Sequence, residues 1–264
     1  MGLKNQIEDL IGEATGNVGV SIKNLNTDEI ININEERVFP SASTIKIVVM
    51  AEILKKVKEG KLHLNENITV LKAMKTGGDG ILKELDSNHE FSLKEIMILM
   101  IIISDNTAAN LLIDTAGMED VNEMAGQLGM KHTKLKRKMM DADAVRAGRE
   151  NLTCAADMTN VLEKVYDGEV IDKEYSSIMM DILKRQQVKG RLDLYLPDDT
   201  MIAHKTGDLD RLEHDVGIVF LPECRYIISV LTNETPTNKD GREIIGKISR
   251  LVYDSYNLYN YQDK

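Results

Sequence analysis

Tryptophan is absent from this chain, and phenylalanine occurs only three times in 264 residues. Aromatic packing therefore cannot dominate the interior, and the core has to rest on Ile, Leu, Val and 14 Met. Cysteine is nearly as scarce. Cys154 and Cys224 lie far apart with no C-x-x-C spacing, which disfavours a structural zinc site and reads as two free buried thiols. Long apolar runs are missing too: the longest, from Ile96 to Ile103, has eight residues against the ~20 a membrane span needs. It reads as a buried helix, with no membrane partner. Positive charge is in deficit, with 33 Lys and Arg against 43 Asp and Glu, so there is no basic face for nucleic acid. Met1 to Gln6 begin no apolar signal-peptide stretch, and Gln6 replaces the Ser or Thr of a myristoylation signal. These features favour the cytoplasm. An exported protein whose leader has been removed is the alternative.

What is present suits a soluble domain: 42% of residues are apolar and 29% charged. A chain of this length buries roughly 70–75% of its unfolded surface and needs no metal or disulfide to hold it. Leu3, Ile7, Leu10 and Ile11 have helical spacing. Val18, Val20 and Ile22 alternate as in a strand, and Ile30–Ile33 continues the pattern after a short Asn24–Asp28 loop. Ser43 opens a helical segment that stops at Gly60, with Ser43 or Thr44 as its expected N-cap. The middle of the chain, to about residue 186, reads as mainly helical. Strand signals return at Thr200–Thr206, Asp215–Leu221 and Arg225–Thr232, before a closing helix over about Arg242–Tyr256. Strands at both chain ends with helices between them predict an α/β plus all-α fold: one antiparallel sheet built from both ends, flanked by helices, with an inserted helical subdomain. The expected organisation is a single domain over 1–264, with an α/β lobe at about 1–42 and 190–264 and a helical lobe at about 43–189.

Within this frame three short motifs follow one another: Ser43-Thr44-Ile45-Lys46, Ser104-Asp105-Asn106 and Lys205-Thr206-Gly207. An S-x-x-K match alone means little, since roughly one is expected by chance in such a chain. Its chemistry is specific, however. Three residues apart on a helix, Ser43 and Lys46 share a face. A serine hydroxyl needs a neighbouring base, and a desolvated lysine amine can be one. The fully specified Ser104-Asp105-Asn106 is much rarer. In an extended turn Ser104 and Asn106 point the same way, and Asp105 turns inward to hold backbone amides. Lys205-Thr206-Gly207 sits between strand signals, where Gly207 lets a ligand approach an edge strand closely. A second copy, Lys75-Thr76-Gly77, precedes Ser104 in a Gly-rich stretch with no strand around it and reads as a chance loop.

The trio in this order resembles the signature of class A β-lactamases and penicillin-binding proteins, and the likeness extends over nearly the whole chain. The resemblance implies a β-lactamase/transpeptidase-like fold and a serine hydrolase that forms an acyl-enzyme on Ser43. Lys46 is then the proton acceptor or relay, and Ser104 passes the proton to the leaving nitrogen. Asn106 holds the substrate amide, while Lys205, Thr206 and Gly207 bind its carboxylate. The amides of Ser43 and Asp208 form the oxyanion hole. It implies no metal and no organic cofactor, a small-molecule β-lactam or related amide or ester as substrate, and a monomer.

The sequence departs from this family in two places. The loop that in class A enzymes reads R-x-E-x-x-L-N, whose Glu activates the deacylating water, here reads Arg137-Lys138-Met139-Met140-Asp141. Met139 stands at the Glu position, Glu150 is placed to pair with Arg137, and Asp141, Asp143 or Glu150 is a substitute base only at the expense of a structural role. Slow deacylation follows as an expectation. After Lys205 the chain carries Asp208-Leu209-Asp210-Arg211-Leu212-Glu213-His214-Asp215 in place of a Gly-rich turn. Arg211 is there a candidate carboxylate ligand, and His204 and His214 are candidates for tuning the site's protonation. The rival readings are a peptidase or esterase for another small substrate, and a sensor that acylates without turnover.

Overall fold

The computed structural model describes residues 2–262. Its centre is a five-stranded antiparallel sheet in the order β2-β1-β9-β8-β7. The strands are β1 (Asn17–Asn24), β2 (Ile30–Ile33), β7 (Met201–Leu209), β8 (Leu212–Phe220) and β9 (Arg225–Asn233). β1 pairs along β9 from Asn17 opposite Asn233 to Asn24 opposite Tyr226, so the two chain ends close the sheet as expected.

Alternation along the strands sends neighbouring residues to opposite faces. Val18, Val20 and Ile22 of β1, with Tyr226, Ile228 and Val230 of β9, lie in an outer core. That core is covered by α1 (Leu3–Gly12), through Ile7, and by α9 (Asn238–Gln262), through Ile244, Ile245, Ile248 and Val252. Ile227 and Leu231 of β9, with Val216 and Ile218 of β8, point the other way into a larger core shared with the helices. Its axis is α2 (Lys46–Lys58), buried on every side from Lys46 to Leu54, as a helix that is mostly apolar all round has to be. Against it pack α3 (Leu93–Ile102), α4 (Asn106–Ala116), α5 (Met118–Gln127) and α8 (Lys173–Leu183), and the short α6 (Ala142–Arg146) and α7 (Ala155–Asp167) complete the helices between the two halves of the sheet. No helix among the described residues is long and apolar enough to cross a membrane.

Local chemistry explains several helix boundaries. Ser92 and Glu95 form a reciprocal capping box at the start of α3. Asp105 caps α4 by accepting from the Ala108 amide, and Gly168 ends α7 in the left-handed region.

The structure corrects the sequence reading at Ser43 and refines it at two other places. Ser43 is not the N-cap of a helix. It lies inside a 3₁₀ turn, Ala42–Ile45, that precedes α2, and its side chain caps nothing. Ala42, at φ 45°, turns the chain into this geometry one residue earlier than propensity suggests. The middle of the chain is also not wholly helical: β4 (Asn67–Val70) and β5 (His89–Ser92) form a hairpin, and β3 (Phe39–Pro40) pairs with β6 (Leu152–Thr153). Finally, the strands extend beyond their Thr200–Thr206 and Asp215–Leu221 signals into the acidic stretch after Lys205. β7 and β8 run through it, Asp208 opposite Glu213, and only Asp210-Arg211 connect them.

Candidate active site

Gly207 is where the edge strand β7 meets the Ser43 turn. A Cβ there would stand 3.0 Å from the Ser43 nitrogen and 3.1 Å from the Ala42 Cβ, so only glycine lets the strand lie this close. The Ser43 side chain opens onto a cavity of about 320 Å³ together with Asn106, Met139 and Asp208. No hydrogen bond holds its hydroxyl among the described residues.

Behind it two lysines are completely buried, Lys46 on α2 and Lys205 on β7. The Lys46 amine donates to the Ser104 carbonyl at 2.7 Å, to Asn106 Oδ1 at 2.8 Å and to Ser104 Oγ at 3.1 Å. The Lys205 amine reaches the same Ser104 Oγ, also at 3.1 Å, and the Thr206 carbonyl at 2.8 Å. One hydroxyl thus bridges two amines. Burial lowers the Lys46 pKa well below its usual value, and the neighbouring Lys205 charge lowers it further. Burial, then the Arg191 charge, brings Lys205 down to about 7. A neutral amine can accept a proton, which an ordinary surface lysine at neutral pH cannot.

The Ser104 turn is held at φ 56°, strained for a residue with a side chain. Asp105 secures it, its carboxylate accepting from the amides of Ile81 (2.7 Å), Leu82 (2.9 Å) and Ala108 (2.9 Å). Gly80 passes so near that a Cβ would fall 2.2 Å from that carboxylate. The expected inward, structural Asp105 is what the geometry shows. The second Lys-Thr-Gly copy is a loop, as read, but it has a place in the wall. Asn106 Nδ2 donates to the Gly77 carbonyl at 3.2 Å, Asn110 Nδ2 to Thr76 Oγ1 at 3.1 Å, and the Thr76 amide to Thr107 Oγ1 at 2.9 Å.

The opposite wall is the 137–151 loop. Arg137 and Glu150 pair at 2.7 Å, closing it as the sequence suggested. Asn110 grips the Met139 backbone at both ends, accepting from its amide at 2.7 Å and donating to its carbonyl at 3.1 Å. The Met139 side chain is buried and lines the cavity. Each alternative carboxylate is occupied: Asp141 caps α6 through the Ala144 amide, Asp143 pairs with Arg146, and Glu150 holds Arg137.

Residues that sequence reasoning missed complete the back of the site. Arg191, buried though outside every motif, donates to Glu213 at 2.6 Å and to Asp208 at 3.0 Å. Glu213 also receives Arg242 and Asn238, both at 3.0 Å, and burial still raises its pKa. No local signal marks Arg191, because its partners lie on strands further along the chain. Arg211, the sequence candidate for a carboxylate ligand, is not at the cavity. It sits at the tip of the β7–β8 connection and donates to the carbonyls of Thr235 (2.7 Å) and Glu234 (3.3 Å). His214 Nε2 lies 2.7 Å from the Pro40 carbonyl, and Nδ1 lies 2.7 Å from the Glu213 carbonyl and 3.2 Å from the Thr232 amide. Burial lowers its pKa to about 4, and it ties β8 to the segment leading into Ser43 as a neutral ring. His204 is buried against Asp215 at 2.9 Å. Both histidines are therefore structural.

The sequence profile of the beta-lactamase enzyme family matches residues 2–256. A β-lactamase of Bacteroides uniformis is 26% identical across 96% of this chain and 90% of its own length. A β-lactamase structure from Sphaerobacter thermophilus superposes with a TM-score of 0.89 at 30% identity, covering 97% of both chains. A mutant of PBP-A, solved as an acyl-enzyme complex with penicillin G, superposes with a TM-score of 0.89 at 29% identity over 97% of this chain and 96% of that one.

Proposed function

The chain belongs to the beta-lactamase enzyme family and is a serine hydrolase, and from this we propose that it is acylated at Ser43 by β-lactams or related amides and deacylates slowly. The observation that carries the reading is the single Ser104 hydroxyl 3.1 Å from both buried amines, beside the cavity onto which Ser43 opens. Neutral Lys46 takes the Ser43 proton, directly or by way of Ser104, as Oγ attacks the carbonyl carbon. The amides of Ser43 and Asp208 receive the developing oxyanion. As the C–N bond breaks, Ser104 gives the leaving nitrogen its proton and is reprotonated from the lysine pair. Asn106 orients the substrate amide, and Lys205, Thr206 and Gly207 hold its carboxylate.

Deacylation needs a base over the ester, and the thioether of Met139 cannot be one. Intact mass of the protein after mixing with benzylpenicillin tests this. The wild type is expected to hold a persistent adduct and Ser43→Ala none. Met139→Glu is expected to shorten the adduct's lifetime on the order of 10²-fold. Rapid release from the wild type would show that another group supplies the base. Absence of any adduct would redirect the search to other esters and peptides.

A further inference from the structure

The cavity at Ser43 is polarised. The two buried amines, Lys46 and Lys205, lie behind the nucleophile and share the Ser104 hydroxyl. The cavity walls carry the carboxylates of Asp79, Asp141 and Asp208, from three separate segments of chain. Among the described residues the only basic side chain in those walls is Arg137, which pairs with Glu150. Arg191 serves Asp208 but is shared with Glu213. Asp141 spends one oxygen on the α6 cap, and no hydrogen bond or ion pair holds the Asp79 carboxylate among the described residues. The same walls leave apolar side chains uncovered: Met140 is 59% exposed and Val145 46%. Met140 is held at φ 60°, a strained conformation that turns this uncovered residue to the cavity.

An occupant that satisfies both features is apolar and carries a positive charge. We propose that the acyl group preferred by this site bears an ammonium beside an apolar group, with Asp79 and Asp141 facing the ammonium while the substrate carboxylate lies toward Lys205. The inference rests on the acyl-transfer reading above and adds the charge of the acyl side chain. A carboxylate at the same place meets two like charges, and an uncharged side chain falls between.

The test is the acylation rate of the full chain at low salt with three penicillins sharing one nucleus and a phenyl-bearing side chain. These are ampicillin at a pH where its amine is protonated, benzylpenicillin, and carbenicillin with its additional carboxylate. Rates should fall in that order over at least about tenfold, and the span should shrink as salt screens the walls. Asp79→Asn and Asp141→Asn should each narrow the span severalfold, Asn keeping the α6 cap. A purely structural role would slow all three probes by one factor. Equal or reversed rates in the wild type overturn the inference and leave the acyl-transfer reading intact. An unchanged span in both variants also overturns it. Absence of an adduct with every probe removes the acyl-transfer reading and this inference with it.

Discussion

On the outer face of the sheet, Val20, Ile22, Ile228 and Val230 pack against Ile7 and Ile245 without a single charged partner among them. At the β7 edge the sheet buries charge on both sides: Lys46 and Lys205 on the inner side, and Arg191, Glu213 and Asp215 on the side covered by α9. The outer face gains stability from apolar area removed from water. The cleft edge gives stability up: charges there lose hydration, and Ala42, Ser104 and Met140 hold positive φ. One sheet thus anchors the molecule through its apolar outer core and buries charged groups along its β7 edge. Substitutions in the two regions should therefore fail in different ways.

The largest effect is expected from Lys46→Met. Without its proton acceptor, acylation should drop by roughly 10²–10⁴, while the melting temperature stays level or rises because a desolvated amine has gone. A large loss of stability would show that the amine's three contacts hold the cleft together. Ile245→Ala on α9 should do the reverse, costing about 2–5 kcal/mol in denaturant unfolding. The acylation rate of the folded protein should not change. A fall in that rate would mean the two faces are mechanically coupled.

A pH series sharpens the comparison. With Lys205 at about 7 in the folded chain and 10.5 as its ordinary value, the unfolded state binds more protons between these limits. Stability should therefore rise with pH from about 7 towards 10.5, and the burden of a buried charge is fully felt below 7. Melting curves of wild type and Lys205→Met should show the wild type gaining on the variant from pH 7 upward. A constant difference would mean the amine keeps its proton throughout. The smallest effect is expected from Arg211→Ala, under about twofold in acylation, since its guanidinium caps the Thr235 and Glu234 carbonyls away from the cavity. A tenfold loss would restore it as a substrate ligand.

Much of the site was legible because its chemistry is carried by short strings. Ser104 and Asn106 are two residues apart and both reach one lysine amine, although Ser104 takes a left-handed φ of 56° and Asn106 opens α4 in place of the extended turn expected. Asp105 could be assigned inward on the same local ground. The long helices were readable from apolar spacing, and the strands from β-branched alternation. The β4–β5 hairpin was not, because its four-residue strands give too short a pattern. Arg191 had no signature, since its role consists of meeting Glu213 and Asp208 across strands. His214 looked like a possible switch until burial and the Pro40 contact made it a neutral tie.

The sequence by itself therefore determined which candidate groups are present, their order and the absence of a carboxylate at Met139, because motif chemistry depends on residue identity and near spacing. Only the tertiary structure decided which of them meet and how far each is desolvated. Burial lowers the pKa of both Lys46 and Lys205, and Asn110 holds the Met139 backbone in the cavity wall. Desolvation and long-range pairing are properties of the packed chain, since in the unfolded one every one of these charges is solvated by water.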